Sequence, residues 1–349
     1  MYRSIGQLAL AAIVVASIAA PLGHRGARVQ AAAAARPYTI GFANEDLVNG
    51  FTGAVQRSME QYAARSGYKL VTVNNNYDDA TALRNATILA NDHVDLAIEF
   101  QVDAKIAPAI ASTFRQANIP TISIDIPQPG AVFFGANNFG DGQLTGQALG
   151  AYVKSHHWAL NTITEVLLSL PAAGAIPQLR MDGIDYGLRQ VVPGLPKSAL
   201  IEQDGAGTLA KSQSVMASLL SRIPAGNHII VSAINDPSLL GALRAIQLAG
   251  RESSAVFAGQ NCSSEAIAEI HSDPQWIGDT AYFPEFYGYY LMQLAGKVLG
   301  HQKVTPYVFI PSLFIDHGNI SAYYPGKATV ATKLPPGGLV FSTSPKHVR

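Results

Sequence analysis

Short runs of β-branched and apolar residues alternate with helix-length segments along most of this chain. In the first half the strand-like runs are "YTIGFAN", "YKLVTVN", "VDLAIEF" and "PTISIDI", and a helix is predicted from about Phe51 to Ser66. The second half continues with "ITEVLLSL", "SALIEQD", "HIIVSAIN", "SAVFAGQ" and "GDTAYF". Such alternation predicts βαβ units on parallel sheets, and its repetition predicts an α/β protein of two doubly wound lobes.

The size and charge of the chain fit this interpretation. A length of 349 residues suggests two domains. Hydrophobic residues make up 48% and charged residues 14%, which indicates a globular chain with ample core. With 24 basic and 24 acidic residues the net charge is zero, which argues against nucleic acid as a partner.

The first residues are typical of an export signal. "MYRSIGQLALAAIVVASIAA" has one early cation, Arg3, and then a short apolar run, so residues 1–35 are predicted to contain a cleaved signal peptide. Cleavage could follow an alanine in 16–20 or in "QAAAAARPY", and an uncleaved anchor is the minority alternative. Cys262 is the only cysteine, so no internal disulfide is expected.

Sequence motifs for catalysis and cofactor binding are missing. No G-x-G-x-x-G follows the first strand, and the phosphate-binding loop, the G-x-S-x-G elbow and the zinc helix H-E-x-x-H are also absent. His156 and His157 lie near a predicted helix end, where a cation suits the helix dipole better than a metal does. The sequence therefore predicts no catalytic residue, no cofactor and no metal site.

Polar side chains recur where predicted strands end. They are Asp125, Asn137, Asn138, Asn235, Gln260 and Asn261. Each alone is readily explained as a turn or cap residue, but their recurrence at one end of many strands predicts a ligand site there. Asn and Asp side chains pair with vicinal hydroxyls, and an aromatic ring such as Phe51 can cover a sugar face.

In the stretch "INDPSLLGALRAIQLAG" two neighbouring polar residues, Asn235 and Asp236, precede a predicted helix. Asp236 precedes Pro237, so Asp236 is expected to cap the following helix. Asn235 is then expected to contact ligand.

That stretch, with "IGFANEDLVNGF", "FRQANIPTISID", "FGANNFGDGQLTGQALG" and "LRMDGIDYGL", resembles periplasmic sugar-binding proteins of the ribose-binding type. These are the exported receptors of sugar ABC importers, and the resemblance covers about Tyr38 to Phe314. It implies the type I periplasmic binding protein fold, with two lobes joined by three crossover strands near Ala136, Tyr282 and Pro311. The implied segments are an N-terminal lobe of 37–136 plus 283–311, a C-terminal lobe of 137–282 plus 312–324, and an irregular tail, 325–349.

The resemblance also implies which residues contact the ligand. The expected ligand-binding residues are Asn49, Phe51, Asp125, Asn138, Gln178, Asn235, Asn261 and Tyr282. Two departures bear on the ligand, because Ile126 and Gln178 stand where pentose-binding relatives carry arginine. Arg180 is expected to support the lobe. Losing two cations disfavours a carboxylate or phosphate and favours a neutral sugar or polyol.

The resemblance thus implies a monomeric periplasmic receptor that delivers a sugar or polyol to the membrane permease of an ABC importer. Three other functions are alternatives to this hypothesis. A sensory receptor that presents its ligand to a membrane sensor is not separable by sequence. An exported carbohydrate-active enzyme would need an acid and base pair that the sequence does not reveal. A transcription regulator would need a DNA-reading helix-turn-helix in place of the signal peptide.

Overall fold

Two β-sheets with flanking helices make up the computed structural model of the chain, which describes residues 36–48 and 50–347. The residues from Pro37 onward form one compact unit that contains both sheets. Each sheet is buried on both faces, as expected for parallel sheets covered by helices.

The first sheet has seven strands in the order β13-β11-β5-β4-β3-β1-β2. Their bounds are β1 Thr39–Asn44, β2 Lys69–Asn74, β3 Leu96–Glu99, β4 Thr121–Ile124, β5 Val132–Gly135, β11 Tyr307–Phe309 and β13 Val340–Ser342. All neighbours pair in parallel except β13, which runs antiparallel to β11. The helices on this side are α1 Gly50–Arg65, α2 Asp79–Asn91, α3 Ala107–Gln116 and α9 Tyr287–Leu299.

The second sheet has six strands in the order β12-β10-β9-β8-β6-β7. Their bounds are β6 Ile163–Ser169, β7 Leu200–Asp204, β8 His228–Ala233, β9 Ala255–Asn261, β10 Trp276–Ala281 and β12 Leu313–Asp316, with β12 antiparallel to β10. The helices on this side are α4 Asn138–Ser155, α5 Ala175–Val191, α6 Leu209–Leu220, α7 Asp236–Leu248, α8 Ser264–Ser272 and α10 Ile320–Tyr323. Single 3-10 turns lie at Leu160–Thr162, Pro171–Ala173, Lys197–Ala199, Glu252–Ser254 and Pro284–Phe286.

The predicted fold class is confirmed, with two α/β lobes built on mostly parallel sheets. The chain passes between the sheets after β5, after β10 and after β11. The tail makes a further passage that the sequence did not predict. It is irregular over 325–339, and it then returns to the first sheet as β13.

Glycines let α4 and α5 approach each other closely, and this contact positions part of the cleft. A Cβ atom at Gly142 would lie 2.1 Å from the carbonyl oxygen of Arg180, and one at Gly187 would lie 2.2 Å from that of Gln143. Larger residues would force the helices apart. The close approach brings Arg180 beside Asn138 at the start of α4.

Candidate ligand-binding cleft

A cavity of about 570 Å³ lies between the two lobes at the carboxyl ends of the strands. Its walls come from the segments after β1, β2, β3 and β4 of the first sheet and from the ends of β6, β7, β8 and β9 of the second and the segments after them. Parallel α/β sheets bind ligands at these strand ends, and clefts between lobes commonly hold small molecules. The cavity is therefore the candidate site.

The first-lobe wall contains aromatic residues and one carboxylate, together with Thr52, Val102 and Ile126. The ring of Phe51 packs edge-to-face against Phe100, at 6.3 Å between ring centroids, and against Tyr287 at 5.3 Å. Asp125 follows β4 with a φ of 58°, in the left-handed region, and its Oδ1 accepts a hydrogen bond from the Ala136 amide at 3.2 Å. Both Phe51 and Asp125 line the cleft, as expected for ligand-contacting residues.

Two opposing influences set the ionisation of Asp125. Burial raises its pKa to about 6, and the Arg180 guanidinium limits that rise. Asp125 is therefore mostly a carboxylate at neutral pH, when both of its oxygens are hydrogen-bond acceptors. Gly135 makes room for the carboxylate, since a Cβ atom there would lie 2.2 Å from Asp125 Oδ1.

Arg180 crosses from α5 into the cleft and is held on several sides. Its Nε and Nη2 donate to Asn138 Oδ1 at 3.1 and 2.8 Å, and its Nη1 donates to the Ile234 carbonyl. The guanidinium also lies over the ring of Tyr282, 4.9 Å from its centroid. Arg180 thus supports the lobe, as expected, and in addition it lines the cleft.

The structure gives the cap expected of Asp236 to Asn235. Asn235 is the N-cap of α7, because its Oδ1 accepts from the Ser238 amide at 3.1 Å and its Nδ2 donates to the Gly207 carbonyl at 3.0 Å. The prediction that Asp236 caps this helix is wrong. Asn235 does line the cleft, but both polar atoms of its side chain are already hydrogen-bonded within the protein.

Asp236 instead points into the second lobe, where it is fully buried. Its Oδ1 and Oδ2 accept from the backbone amides of Gln260 and Ser263 at 3.2 and 2.6 Å. Its carboxyl is also hydrogen-bonded to that of Asp279, which is equally buried. Burial and the neighbouring carboxyl of Asp236 raise the pKa of Asp279 well above its usual range.

The remaining predicted residues other than Gln178 fall into three groups. Asn261, at the end of β9, lines the cleft with a φ of 105°. Asn138 and Tyr282 are buried behind the wall, where Asn138 holds Arg180 and the Tyr282 hydroxyl donates to Gln260. Asn49 lies outside the described residues.

Gln178 is not brought to the cleft. Its Nε2 donates to Glu202 at 2.8 Å instead. The reason is helical periodicity, because Pro177 and Arg180 are three residues apart on the face of α5 that lines the cleft, whereas Gln178 is rotated away from that face.

Two buried acidic residues lie near this end of the first sheet. The sequence places Glu45 among the polar residues that follow the first strand, whereas Glu99 was missed. Glu99 ends β3 and is buried, and desolvation raises its pKa to about 8. Asn75 donates to its Oε1 at 3.2 Å, and Gln128 donates to its Oε2. Burial, with help from nearby Asp79, raises the pKa of Glu45 to about 7. The only available signal was a glutamate at the end of an otherwise apolar strand.

Charges along the cleft wall balance. Asp125 and Glu265 are acidic, and Arg180 and Arg244 are basic. Within residues 36–48 and 50–347 no three His, Cys, Asp or Glu side chains come together in a way that could hold a metal ion. In the same part of the chain, no helix is both long and apolar enough to cross a membrane.

Sequence relatives of this chain are binding proteins. It is 27% identical over 269 residues to the Ribose import binding protein RbsB of Escherichia coli (strain K12), covering 76% of this chain and 86% of the relative. It is 25% identical over 283 residues to the ABC transporter L-arabinose-binding periplasmic protein of Azospirillum brasilense, covering 77% and 81%.

Solved structures share the fold at lower identity. An ABC transporter solute binding protein from Mycobacterium smegmatis with bound glycerol superposes with a TM-score of 0.73 at 22% identity, over 85% of this chain and all of that one. A solute binding protein from Bacillus halodurans C-125 with bound myo-inositol gives 0.68 at 18% identity, over 84% of this chain and all of that one.

The family description "Periplasmic binding protein domain" matches residues 40–303, which span both lobes. The resemblance seen in the sequence is thereby confirmed, and the chain belongs to the periplasmic binding protein domain family.

Proposed function

We propose that this protein is an exported receptor that binds a neutral sugar or polyol in the cleft between its lobes and delivers it to an ABC importer. The observation that carries this proposal is the balance of charge on the cleft wall, with two acidic and two basic side chains. A carboxylate or phosphate ligand would favour a surplus of arginine forks. Asp125 supplies instead an acceptor suited to hydroxyl groups.

Relatives support the same ligand class. The two curated relatives are named for ribose and L-arabinose, and the two solved neighbours hold glycerol and myo-inositol. All four compounds are neutral and rich in hydroxyls. The same relatives are binding proteins, which favours binding over catalysis for this chain and a periplasmic location.

The proposal assigns ligand contacts to Phe51, Asp125, Arg180 and Asn261. These four side chains line the cleft from both lobes. Asn138 and Tyr282 act indirectly by holding Arg180 and its surroundings. Asn235 contributes chiefly by shaping the wall at the start of α7.

A thermal-shift screen of the mature chain tests the ligand class. A ligand that binds only the folded state raises the melting temperature by mass action. We expect shifts with neutral sugars or polyols and none with the matching uronic acids or sugar phosphates. If a charged analogue stabilised the protein more than its neutral parent did, the proposed ligand class would be wrong.

Calorimetry on two variants tests the site. Asp125→Ala should weaken binding of the ligand found in the screen by about 1 to 3 kcal/mol, the cost of leaving a buried hydroxyl without its partner. Gln178→Ala is the matched control, because its side chain is bonded to Glu202 outside the cleft. If both variants bound the ligand as tightly as the parent, the assignment of the ligand to this cleft would be wrong. Loss of uptake of the same compound in cells that lack the protein would support delivery to an importer.

A further inference from the structure

The second-lobe wall of the cleft carries a group of aliphatic side chains. It includes the aliphatic side chains of Leu170, Leu209, Ile234, Pro237 and Leu240. On the first lobe, aromatic rings can serve the C–H faces of a sugar. Aliphatic side chains on the second lobe offer no such stacking and no hydrogen bond.

Three polar residues on that second wall cap their own helices. Thr208, Asn235 and Ser263 are the N-caps of α6, α7 and α8, and their side chains accept from the amides of residues 211, 238 and 266 at 3.4, 3.1 and 3.3 Å. The second polar atom of Asn235 is bonded to Gly207. The caps thus give part of their hydrogen-bonding capacity to their own helices, and the hydroxyls of Thr208 and Ser263 each keep one O–H donor.

The other polar residues of the cleft wall are Thr52, Tyr77, Asp125, Arg180, Arg244, Asn261 and Glu265. Asp125 uses one oxygen for the Ala136 amide and keeps acceptor capacity. Asn261 forms no hydrogen bond through its side chain within the described residues, so its carboxamide is available. Each of the three nitrogens of Arg180 already donates to Asn138 or Ile234, and only its two remaining N–H groups are left.

We infer that the cleft selects a sugar or polyol that carries an apolar group, at a deoxy position or as an alkyl substituent, over its fully hydroxylated counterpart. This inference rests on the proposed function and deepens it. A fully hydroxylated sugar would bury hydroxyls against aliphatic side chains without partners. A methyl group at the same place gains from burial.

Matched pairs of sugars test the inference by calorimetry. D-galactose and D-fucose differ only in the hydroxyl at the sixth carbon, as do D-glucose and 6-deoxy-D-glucose, and L-mannose and L-rhamnose. Methyl glycosides beside the free sugars form a second series. In the series that binds, we expect the deoxy or methyl member to bind at least about tenfold tighter, since leaving a hydroxyl unpartnered costs about that much or more.

Two variants of Leu209 test whether the second-lobe wall causes the preference for the deoxy or methyl member. Leu209→Gln adds hydrogen-bonding groups to the second wall and should reduce the preference toward parity. Leu209→Met keeps the wall apolar and should retain it. Leu209 is only partly buried at the start of α6, and melting curves of both unliganded variants check that each one folds.

The outcomes separate this inference from the proposed function. Equal or tighter binding of the hydroxylated members overturns the inference and leaves the receptor for neutral sugars intact. A retained preference in Leu209→Gln overturns the role of the wall. Failure of every neutral sugar and polyol to bind overturns the proposed function, and the inference with it.

Discussion

At the scale of single residues, Asn235 and Asp236 show how neighbours with similar chemistry receive different roles. Both are good N-cap residues, and either could precede Pro237 at the start of a helix. In the structure Asn235 takes the cap, while Asp236 turns inward to the amides that follow β9. The choice depends on where β9 ends in space, which is not a local property of the chain.

Because the two residues have different partners, their alanine variants should lose different amounts of stability. Asn235→Ala should lower the free energy of unfolding by about 0.5 to 2 kcal/mol through loss of the cap. Asp236→Ala should cost more, because it leaves two backbone amides unpaired, a buried one at Gln260 and a partly buried one at Ser263, and a buried unpaired group alone costs about 1 to 3 kcal/mol. Urea melts measure both. Thr208→Ala, which removes the cap of α6, is the control and should resemble Asn235→Ala. A larger loss for Asn235→Ala than for Asp236→Ala would contradict the assignment.

At the scale of elements, the end of β9 and the turn after it, residues 260–263, form a loop that carries Asn261 into the cleft in an unusual conformation. Asn261 and Cys262 both have positive φ angles, of 105° and 60°. The carboxyls of Asp236 and Asp279 hold this loop through three backbone amides, those of residues 260, 262 and 263. Buried acceptors thus stabilise a backbone geometry that L-residues rarely adopt.

Gly259 leaves space for the Asp279 carboxyl beside this loop. A Cβ atom there would lie 2.2 Å from Asp279 Oδ1. Gly259→Ala should therefore destabilise the protein by about 1 to 3 kcal/mol through overpacking, and it should also weaken ligand binding by displacing the loop that carries Asn261. Denaturant melts and calorimetry measure the two effects.

Gly226→Ala is the matched control, since a Cβ atom at Gly226 has no neighbour within 4 Å. It should leave both quantities near those of the parent. Wild-type affinity in Gly259→Ala would show that the loop does not depend on the carboxyl pair.

At the scale of the whole molecule, buried glutamates make stability depend on pH. Desolvation raises the pKa of Glu99 and Glu165 to about 8 and that of Glu45 and Glu285 to about 7, from an ordinary value of 4.5. Between these values the folded state binds more protons than the unfolded state, so stability falls as pH rises. Their contribution is complete below about pH 4.5 and is lost progressively up to about pH 8.

We therefore expect the free energy of unfolding to decline between pH 5 and pH 8 in urea melts. Glu99→Gln imitates the protonated side chain and should flatten the decline. Its new amide can be accommodated, because Gln128 Oε1 has no hydrogen-bond partner within the described residues and could accept from it. Stability that rises through this interval, or an unchanged slope in Glu99→Gln, would contradict the prediction.

The tail connects the two lobes in addition to the three crossovers. β13 pairs with β11 of the first lobe, and Lys346 then lies over the ring of Phe139 in α4 of the second, 3.9 Å from its centroid. A cavity of about 290 Å³ lies between the tail and the crossover after β11. A connection that contacts both lobes should restrict their rotation.

Small-angle scattering tests this restriction. Ligand should reduce the radius of gyration by hinge closure about the crossovers. Deleting residues 339–349 should enlarge that reduction, because the unliganded lobes would open further. Lys346→Ala keeps β13 and should give an intermediate result. Chromatography checks that the exposed edge of β11 does not cause dimerisation of the deletion variant. An identical change in the deletion variant and the parent would show that the tail does not restrict the lobes.

Part of the candidate site could be predicted from local signals. Phe51, Asp125 and Asn261 follow predicted strands, and all three line the cleft because carboxyl ends of parallel strands meet at one edge of a sheet. Gln178 was misplaced because a rotation of about 100° per residue separates it from the helix face that lines the cleft. Arg180 was underestimated because its reach into the cleft depends on the close contact of α4 with α5.

By itself, the sequence determined the two α/β lobes, their order along the chain and the end of the sheets where a ligand would bind. These follow from residue patterns of period 2 and 3.6 and from strand ends, which are local. Only the tertiary structure decided which of two neighbours caps α7, which side chains remain free for hydroxyl groups, and where the tail runs. Those outcomes depend on contacts between residues far apart in the chain, whose geometry is set by the packing of helices and strands.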